Sequence, residues 1–401
     1  MNKHEFAHLR NSEFGIRNYL IVAIGLVTLA SSSCRAEQSR GTTETNTVQQ
    51  AEEHHLSLLI AGDLMQHGPQ INAALQKDGS YNYDECFARI HDEVERADVA
   101  IGNFEVTLGG KPYAGYPQFR APDEYLQACL DAGFDILLTA NNHCLDSRRA
   151  GLERTILMMD SLHVPHIGTY VNEQARQKQY PFLLERNGLR IVLLNFTYGT
   201  NGIQVQAPNV VNYMDTVQIR RDIQKAKLLK PDVIIALPHW GIEYQQLPSQ
   251  QQRDMAKWLI DNGVDHIIGG HPHVAQPLEL TPDSCHLIAW SMGNVVSNQS
   301  KPNTYGGYMV RLEFTKTVQT GIVPTITGKK SATRLSNCGY ALYWVSRPTD
   351  NNRQHNYRIL PIDEPDSALT VIEQKNRAAI RSSMRKLMEK HAVGISEYTF
   401  K

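Results

Sequence analysis

From His55 onward the chain alternates short, unbroken apolar runs with stretches whose apolar residues recur every three or four positions. The runs LSLLIAGD, ADVAIGNFE, FDILLTANNH, LRIVLLNFT, PDVIIALPHW, VDHIIGGHPH and HLIAWSMGN have no polar face, as expected of strands buried on both sides. Between them, NYDECFARIHDEVERA, PDEYLQACLDAG, RAGLERTILMMDSL and QQRDMAKWLIDNG carry apolar residues at helical spacing. Strand–helix alternation of this kind predicts an α/β fold of largely parallel sheets covered by helices. YGGYMVRLEF and GIVPTIT predict an antiparallel ending to the sheet. Leu369, Ile372, Ala379, Ile380, Met384 and Leu387 predict a C-terminal helix over residues 367–390.

The first residues break this rhythm. Lys3, Arg10 and Arg17 precede an apolar stretch over residues 19–30, and small residues follow up to Cys34. A basic region, a short apolar core and a small-residue exit describe an export signal, with a core too short to span a membrane comfortably. A cysteine directly after the small residues is similar to a bacterial lipoprotein signal with Cys34 as the lipidated residue, although Ser31 stands where an aliphatic side chain is usual. A plain secretory signal or an uncleaved anchor is the alternative. Residues 35–53 contain no Leu, Ile or aromatic residue and read as a disordered tether. The expected organisation is a signal over 1–33, a tether over 34–54, one domain over 55–345 and a C-terminal extension with a helix over 346–401.

Charge is close to balanced, with 40 Lys+Arg against 41 Asp+Glu, and no basic block suggests a nucleic-acid surface. Beyond Cys34 the cysteines are Cys86, Cys129, Cys144, Cys285 and Cys338. This odd number without a C-x-x-C pair argues against a disulfide framework and against a thiolate zinc site.

The informative residues stand where the apolar runs stop. Asp63 ends the first, Asn103 and Glu105 the second, Asn142 and His143 the third; His239 ends PDVIIALPHW, and His271 and His273 follow VDHIIGG. In parallel α/β sheets the carboxyl ends of the strands face one edge, and ligands bind there. Three histidines, two carboxylates and an amide are enough for two divalent cations with mixed oxygen and nitrogen ligands. Each residue also has an ordinary reading. Asp63 after a glycine can be a turn residue, Glu105 can pair with Lys111 or Arg120, and His239 beside Trp240 can be a packing residue. TANNHCLD can be a turn in which Asp146 caps the helix starting near Ser147.

The ordered set GD, NFE, ANNHCLD, HWGIEY, GGHPHVAQPLE and SMGN resembles the capsule-synthesis protein CapA family, linked to poly-γ-glutamate biosynthesis and similar to calcineurin-like metallophosphoesterases. The resemblance covers residues 55–308. It implies a four-layer α/β/β/α sandwich with a metal site at the strand ends, holding two divalent ions such as Mn, Zn, Fe or Mg. Carried over residue by residue, it places Asp63 and His273 on one metal and Asn142, His239 and His271 on the other. Glu105 takes the place of the bridging carboxylate, and His143 that of the acid beside the metals. Two positions depart: Met65 stands where the phosphoesterases have a second histidine, and Glu105 is longer than their aspartate. His67 lies at the wrong offset to replace the missing ligand. The departures fall on the first metal position.

Such a site could activate water for in-line attack on phosphorus or for addition to an amide carbonyl. His143 would protonate the leaving group while Asp146 holds its tautomer. The absence of a G-x-S-x-G elbow and of a Walker loop argues against a serine nucleophile and against ATP-driven ligation. The resulting expectation is an exported lipoprotein of the bacterial cell envelope, a metal-dependent hydrolase-like protein acting in synthesis, export or anchoring of an anionic polymer. Its partners would be that polymer or a phosphoester, the membrane through its lipid anchor, and other capsule-synthesis membrane proteins, with no nucleic acid. A non-catalytic polymer-binding or assembly subunit with a degenerate metal site and a periplasmic phosphodiesterase or phosphatase are the alternatives.

Overall fold

Two mixed sheets lie between layers of helices. The computed structural model describes residues 50–348 and 356–400, except 321, 324–325 and 328–329. The first sheet begins with β1 (Gln50–Leu64), β2 (Val99–Phe104), β3 (Ile136–Leu138) and β4 (His166–Ile167), each parallel to the one before. The second contains β5 (Phe182–Arg186), β6 (Leu189–Thr197), β7 (Val233–His239), β8 (His266–Ile268), β9 (Leu278–Leu280) and β10 (Leu287–Ala289), in the spatial order β9-β10-β8-β7-β6-β5. Its centre is parallel and its two edge strands are antiparallel. The chain then returns to the first sheet. There β11 (Asn294–Val296) runs parallel to the end of β1, β12 (Gly306–Thr320) runs antiparallel along it, and β13 (Lys330–Ser346) and β14 (Arg358–Pro361) continue the antiparallel edge.

The layering follows from period-two burial. Leu56, Leu58 and Ile60 of β1, Ile101 of β2, and Ile136 and Leu138 of β3 share a core with Ile191 and Leu193 of β6 and Ile235 of β7. Leu59 and Ala61 of β1, Ala100 of β2 and Leu137 of β3 point the other way, onto a second core. That core includes Tyr125, Leu126 and Cys129 of α4 (Asp123–Asp131) and Met159 of α5 (Arg148–Ser161); α1 (Gly68–Ala74), α2 (Asp84–Phe87) and α3 (His91–Glu95) contribute Ala74, Phe87 and Val94. After α6 (Glu173–Gln179), α7 (Thr216–Leu228) and α8 (Gln250–Asp261) pack on the second sheet through Ile219, Ile223, Ala226, Ala256 and Leu259. This is a four-layer α/β/β/α sandwich. Each large aliphatic side chain buried this way contributes about 1.5–3 kcal/mol, which explains the unbroken apolar runs.

Three expectations need correction. The first strand starts at Gln50, so residues 50–54, read as tether, belong to β1. They pair with Thr320 through Lys316 of β12 by backbone hydrogen bonds, which require no apolar side chains. The stretch NYDECFARIHDEVERA, expected as one helix, is α2 and α3 separated by a turn at residues 88–90 that buries Ile90. The first sheet runs past the expected domain end at 345, because β14, within the expected C-terminal extension over 346–401, pairs antiparallel with β13. The extension's helix, α9 (Val371–His391), starts on a Thr370/Glu373 capping box and buries Met384 and Met388 in the inter-sheet core. No described helix is long and apolar enough to cross a membrane. The signal region and Cys34 lie outside the described residues.

Within the first sheet, the end of β1 and the segment leading into β11 touch backbone to backbone. Asp63 N donates to Gly293 O at 3.0 Å, and a Cβ on Gly62 would lie 1.9 Å from that carbonyl. The ladder shifts register between Ala61 and Asp63, which turns the Asp63 carboxylate toward the second sheet's strand ends. Gly62→Ala should force the two ends apart and lower stability by about 1–3 kcal/mol, the usual range for overpacking, read as a lower Tm. An unchanged Tm would show that this contact is not tight.

Candidate metal centre

Five strand ends and the turns after them place the polar residues. Asp63 lies in the last turn of β1's ladder, and Glu105 follows β2, its N–H bonded to Leu64 O at 3.1 Å. After β3, Asn141 anchors the turn: its Nδ2 donates to Phe104 O at 2.9 Å and its Oδ1 accepts His143 N at 3.2 Å. This presents Asn142 and His143 inward. His239 is the last residue of β7 and bridges to Gly270. Beyond β8, His271 and His273 flank Pro272 with φ of 99° and 57°. Left-handed angles at non-glycine residues cost free energy and collect at functional sites.

These side chains meet in a nearly dry cluster. Donor atoms of Glu105, His239 and His271 lie within 4.8 Å of one another, as do those of Asp63, Glu105 and His273, so Glu105 is common to both groups. Among the candidate ligands, His239 Nε2 lies 2.7 Å from Asn142 Oδ1 and 3.5 Å from Glu105 Oε1, and His273 Nδ1 lies 3.2 Å from Asp63 Oδ2. Asp63 and Glu105 are completely buried. Among the described residues no lysine or arginine pairs with either; Arg120 instead bonds Ser147 Oγ, and Lys111 lies over the Tyr113 ring. Glu105 Oε1 and His271 Nδ1 are buried without any hydrogen-bond partner.

The electrostatics follow from burial. Desolvation, then the neighbouring Asp63 charge, pushes the Glu105 carboxyl well above its ordinary range. Burial also raises Asp63, but the hydrogen bond from His273 and the nearby imidazoles outweigh it and bring it down. Burial pushes His239 down to about 3 and His271 well below its ordinary value, so both imidazoles are neutral, the form that binds metal. Buried carboxylates with neutral imidazoles, an amide oxygen and orphaned acceptor atoms make a donor set that fits divalent cations of the Mn, Fe or Zn kind. His67 lies apart: it is the cap residue of α1, and its Nδ1 is bonded to Gln70 Oε1 at 3.1 Å.

His143 and Asp146 form a pair. Asp146 Oδ2 accepts from His143 Nδ1 at 2.7 Å and from Phe119 N–H at 2.7 Å, and both residues are buried. Ser147 occupies the cap position of α5 with no side-chain capping bond, so Asp146 orients the histidine rather than capping the helix. Phe119 packs edge-on against the imidazole with centroids 4.6 Å apart. The pair lines an open cleft of about 820 Å³ whose other walls include Met65, His67, Tyr116, Arg148, Glu243, Tyr244, His273 and Lys301.

Sequence reading did not anticipate the role of the other amides. Asn103 serves as a donor: its Nδ2 reaches Asp63 Oδ1 at 2.8 Å and Glu105 Oε2 at 3.2 Å. Asn294 Oδ1 stands 3.0 Å from His273 Nδ1. Tyr198 packs on His271 with centroids 4.5 Å apart. The strand-end position of Asn294 in SMGN was the available signal for one of them; Tyr198, beyond LRIVLLNFT, carries none.

The bacterial capsule synthesis protein PGA_cap family matches residues 57–299 of this chain. The capsule biosynthesis protein CapA of Bacillus anthracis is 27% identical over 306 residues, covering 74% of this chain and 72% of that protein. The PGA biosynthesis protein CapA of Bacillus subtilis (strain 168) is 26% identical over 290 residues, covering 69% and 72%. Among solved structures, the NAD nucleotidase of Haemophilus influenzae is 12% identical with a TM-score of 0.39, covering 87% of this chain and 58% of that one. The family match takes in every residue of the cluster from Asp63 to Asn294, and the chain belongs to the bacterial capsule synthesis protein PGA_cap family.

Proposed function

We propose that this protein is a metal-dependent hydrolase, tethered at the cell envelope, that acts on an anionic capsule polymer of the poly-γ-glutamate type. The observation that carries the reading is the burial of Asp63 and Glu105 among His239, His271, His273 and Asn142, with no lysine or arginine among the described residues to offset their charge. Removing two carboxylates from water costs several kcal/mol each, so such a pair calls for a cation. Bound divalent cations would supply an activated water and Lewis-acid stabilisation of the attacked group.

The chain's own residues divide the remaining work. His143 Nδ1–H donates a hydrogen bond to Asp146, which leaves Nε2 to carry the proton that a departing group needs. Asp146 stabilises the charged imidazole, and Phe119 N–H fixes the carboxylate in place. Arg148 and Lys301 are exposed on the cleft walls with no ion pair among the described residues, so both are free to meet an anionic chain. Tyr116 and Tyr244 add flat apolar surface beside them.

His271→Ala should lose bound metal while far-UV circular dichroism stays native; unchanged stoichiometry would remove His271 from the site. Asp146→Asn should fold and keep its metal, yet lose about 10²–10⁴-fold in turnover on phosphodiester or γ-glutamyl substrates, the usual worth of general acid catalysis. Full turnover in both Asp146→Asn and His143→Ala would return the pair to a structural role. Metal uptake without turnover on either substrate class in the parent chain would instead point to a polymer-binding subunit.

Export and lipidation at Cys34 account for the basic, apolar and small-residue pattern before it and for the apolar-poor stretch after it. Cys34→Ala should release the protein from membranes or leave a precursor of higher mass. Membrane-bound protein at the mature mass would rule the lipid anchor out.

A further inference from the structure

One carboxylate beside the cluster has no role in the reading above. Glu243 lies in the turn after β7, and its carboxylate comes within 4.8 Å of donor atoms on both His271 and His273. The turn is held there by construction. Tyr244 N–H donates to Pro272 O at 2.8 Å, tying Glu243's neighbour to the middle of the His-Pro-His segment. Gly241 and Tyr244, on either side, have φ of 95° and 66°. A Cβ on Gly241 would lie 2.7 Å from the Gln252 side chain, so the turn approaches α8 closely as well. With left-handed angles also at His271 and His273, two strained segments face each other across Glu243.

The ordinary reading of an exposed glutamate is a solvated surface charge. Two observations oppose it. Glu243 forms no ion pair with a lysine or arginine among the described residues, although it lies among side chains that could have supplied one, since Arg148 and Lys301 line the same cleft. His271, 2% exposed, keeps its Nδ1 without a partner, so this imidazole has unused capacity within the group that Glu243 joins. In the same cleft Met65, just after β1, offers a thioether, a poor match for cations that prefer oxygen and imidazole. Asp63 and His273 therefore gain no further good donor from β1.

We propose that Glu243 is a third carboxylate ligand of the metal centre, entering from the cleft side and completing the donor set around His271 and His273. The inference rests on the metal-centre reading above and extends it. A third carboxylate would bring the negative charge of the site from two to three, closer to what two divalent cations require.

The test is isothermal titration of the full mature chain, stripped with chelator, with Mn²⁺ and Zn²⁺ separately, for the parent, Glu243→Gln and Glu243→Asp. Glu243 is exposed, so the substitutions should leave the metal-free Tm unchanged, and that is measured alongside. Glu243→Gln is expected to weaken one binding event by at least ~10–100-fold, the loss typical of even outer partners of a metal, while Glu243→Asp recovers part of it. Parent-like affinities and stoichiometry in Glu243→Gln would overturn the assignment and leave the metal centre standing. Absence of metal uptake by the parent chain itself would overturn the metal-centre reading, and this inference with it.

Discussion

Two carboxylates, Asp63 and Glu105, are buried together with no lysine or arginine pairing with them among the described residues, and the architecture of the strand ends is organised around them. Each would strongly prefer water. They are held instead by the Asn103 amide, which donates to both, and by imidazoles that burial keeps neutral. Bringing them this close requires β1 and the segment before β11 to touch backbone to backbone at Gly62 and Gly293. It also requires the His-Pro-His segment to adopt unfavourable backbone angles. Such costs persist only where the surrounding fold over-determines the geometry, and here two sheets and their covering helices do so.

That support explains which parts of the protein were legible in the sequence. The strands were, because burial on both faces leaves a continuous apolar run that no exposed element would carry, as in LRIVLLNFT and PDVIIALPHW. Their polar ends were legible for the same reason: Asp63, His239 and His271 stand out against apolar neighbours. The start of β1 was not, since Gln50–His54 pairs mainly through its backbone and its side chains look like tether. The break between α2 and α3 was hidden because the apolar spacing continues across it.

Residues with two roles were the hardest to read. Aspartate caps helices and orients histidines equally well, so Asp146 was ambiguous until its bonds to His143 Nδ1 and Phe119 N–H could be seen. Asn103 could have been a ligand through its oxygen; only the geometry shows its nitrogen turned toward the carboxylates. Glu243 stands inside HWGIEY, but a lone glutamate in an exposed turn reads as an ordinary surface charge, so the motif did not single it out. The cleft brings together Arg148, Tyr116, Tyr244 and Lys301 from distant parts of the chain, and no local pattern marks them.

Membership of the capsule synthesis family and the buried donor cluster meet in one claim, that this chain holds divalent cations at the carboxyl ends of its strands. Metal analysis of the mature chain, purified without a histidine tag, tests it most directly when combined with Tm measured against free metal concentration. The account predicts uptake of about two equivalents and a Tm that rises with free metal, because a ligand that binds only the folded state stabilises it. A chain that takes up no metal, with a Tm indifferent to chelator and to added Mn²⁺ or Zn²⁺, would contradict it.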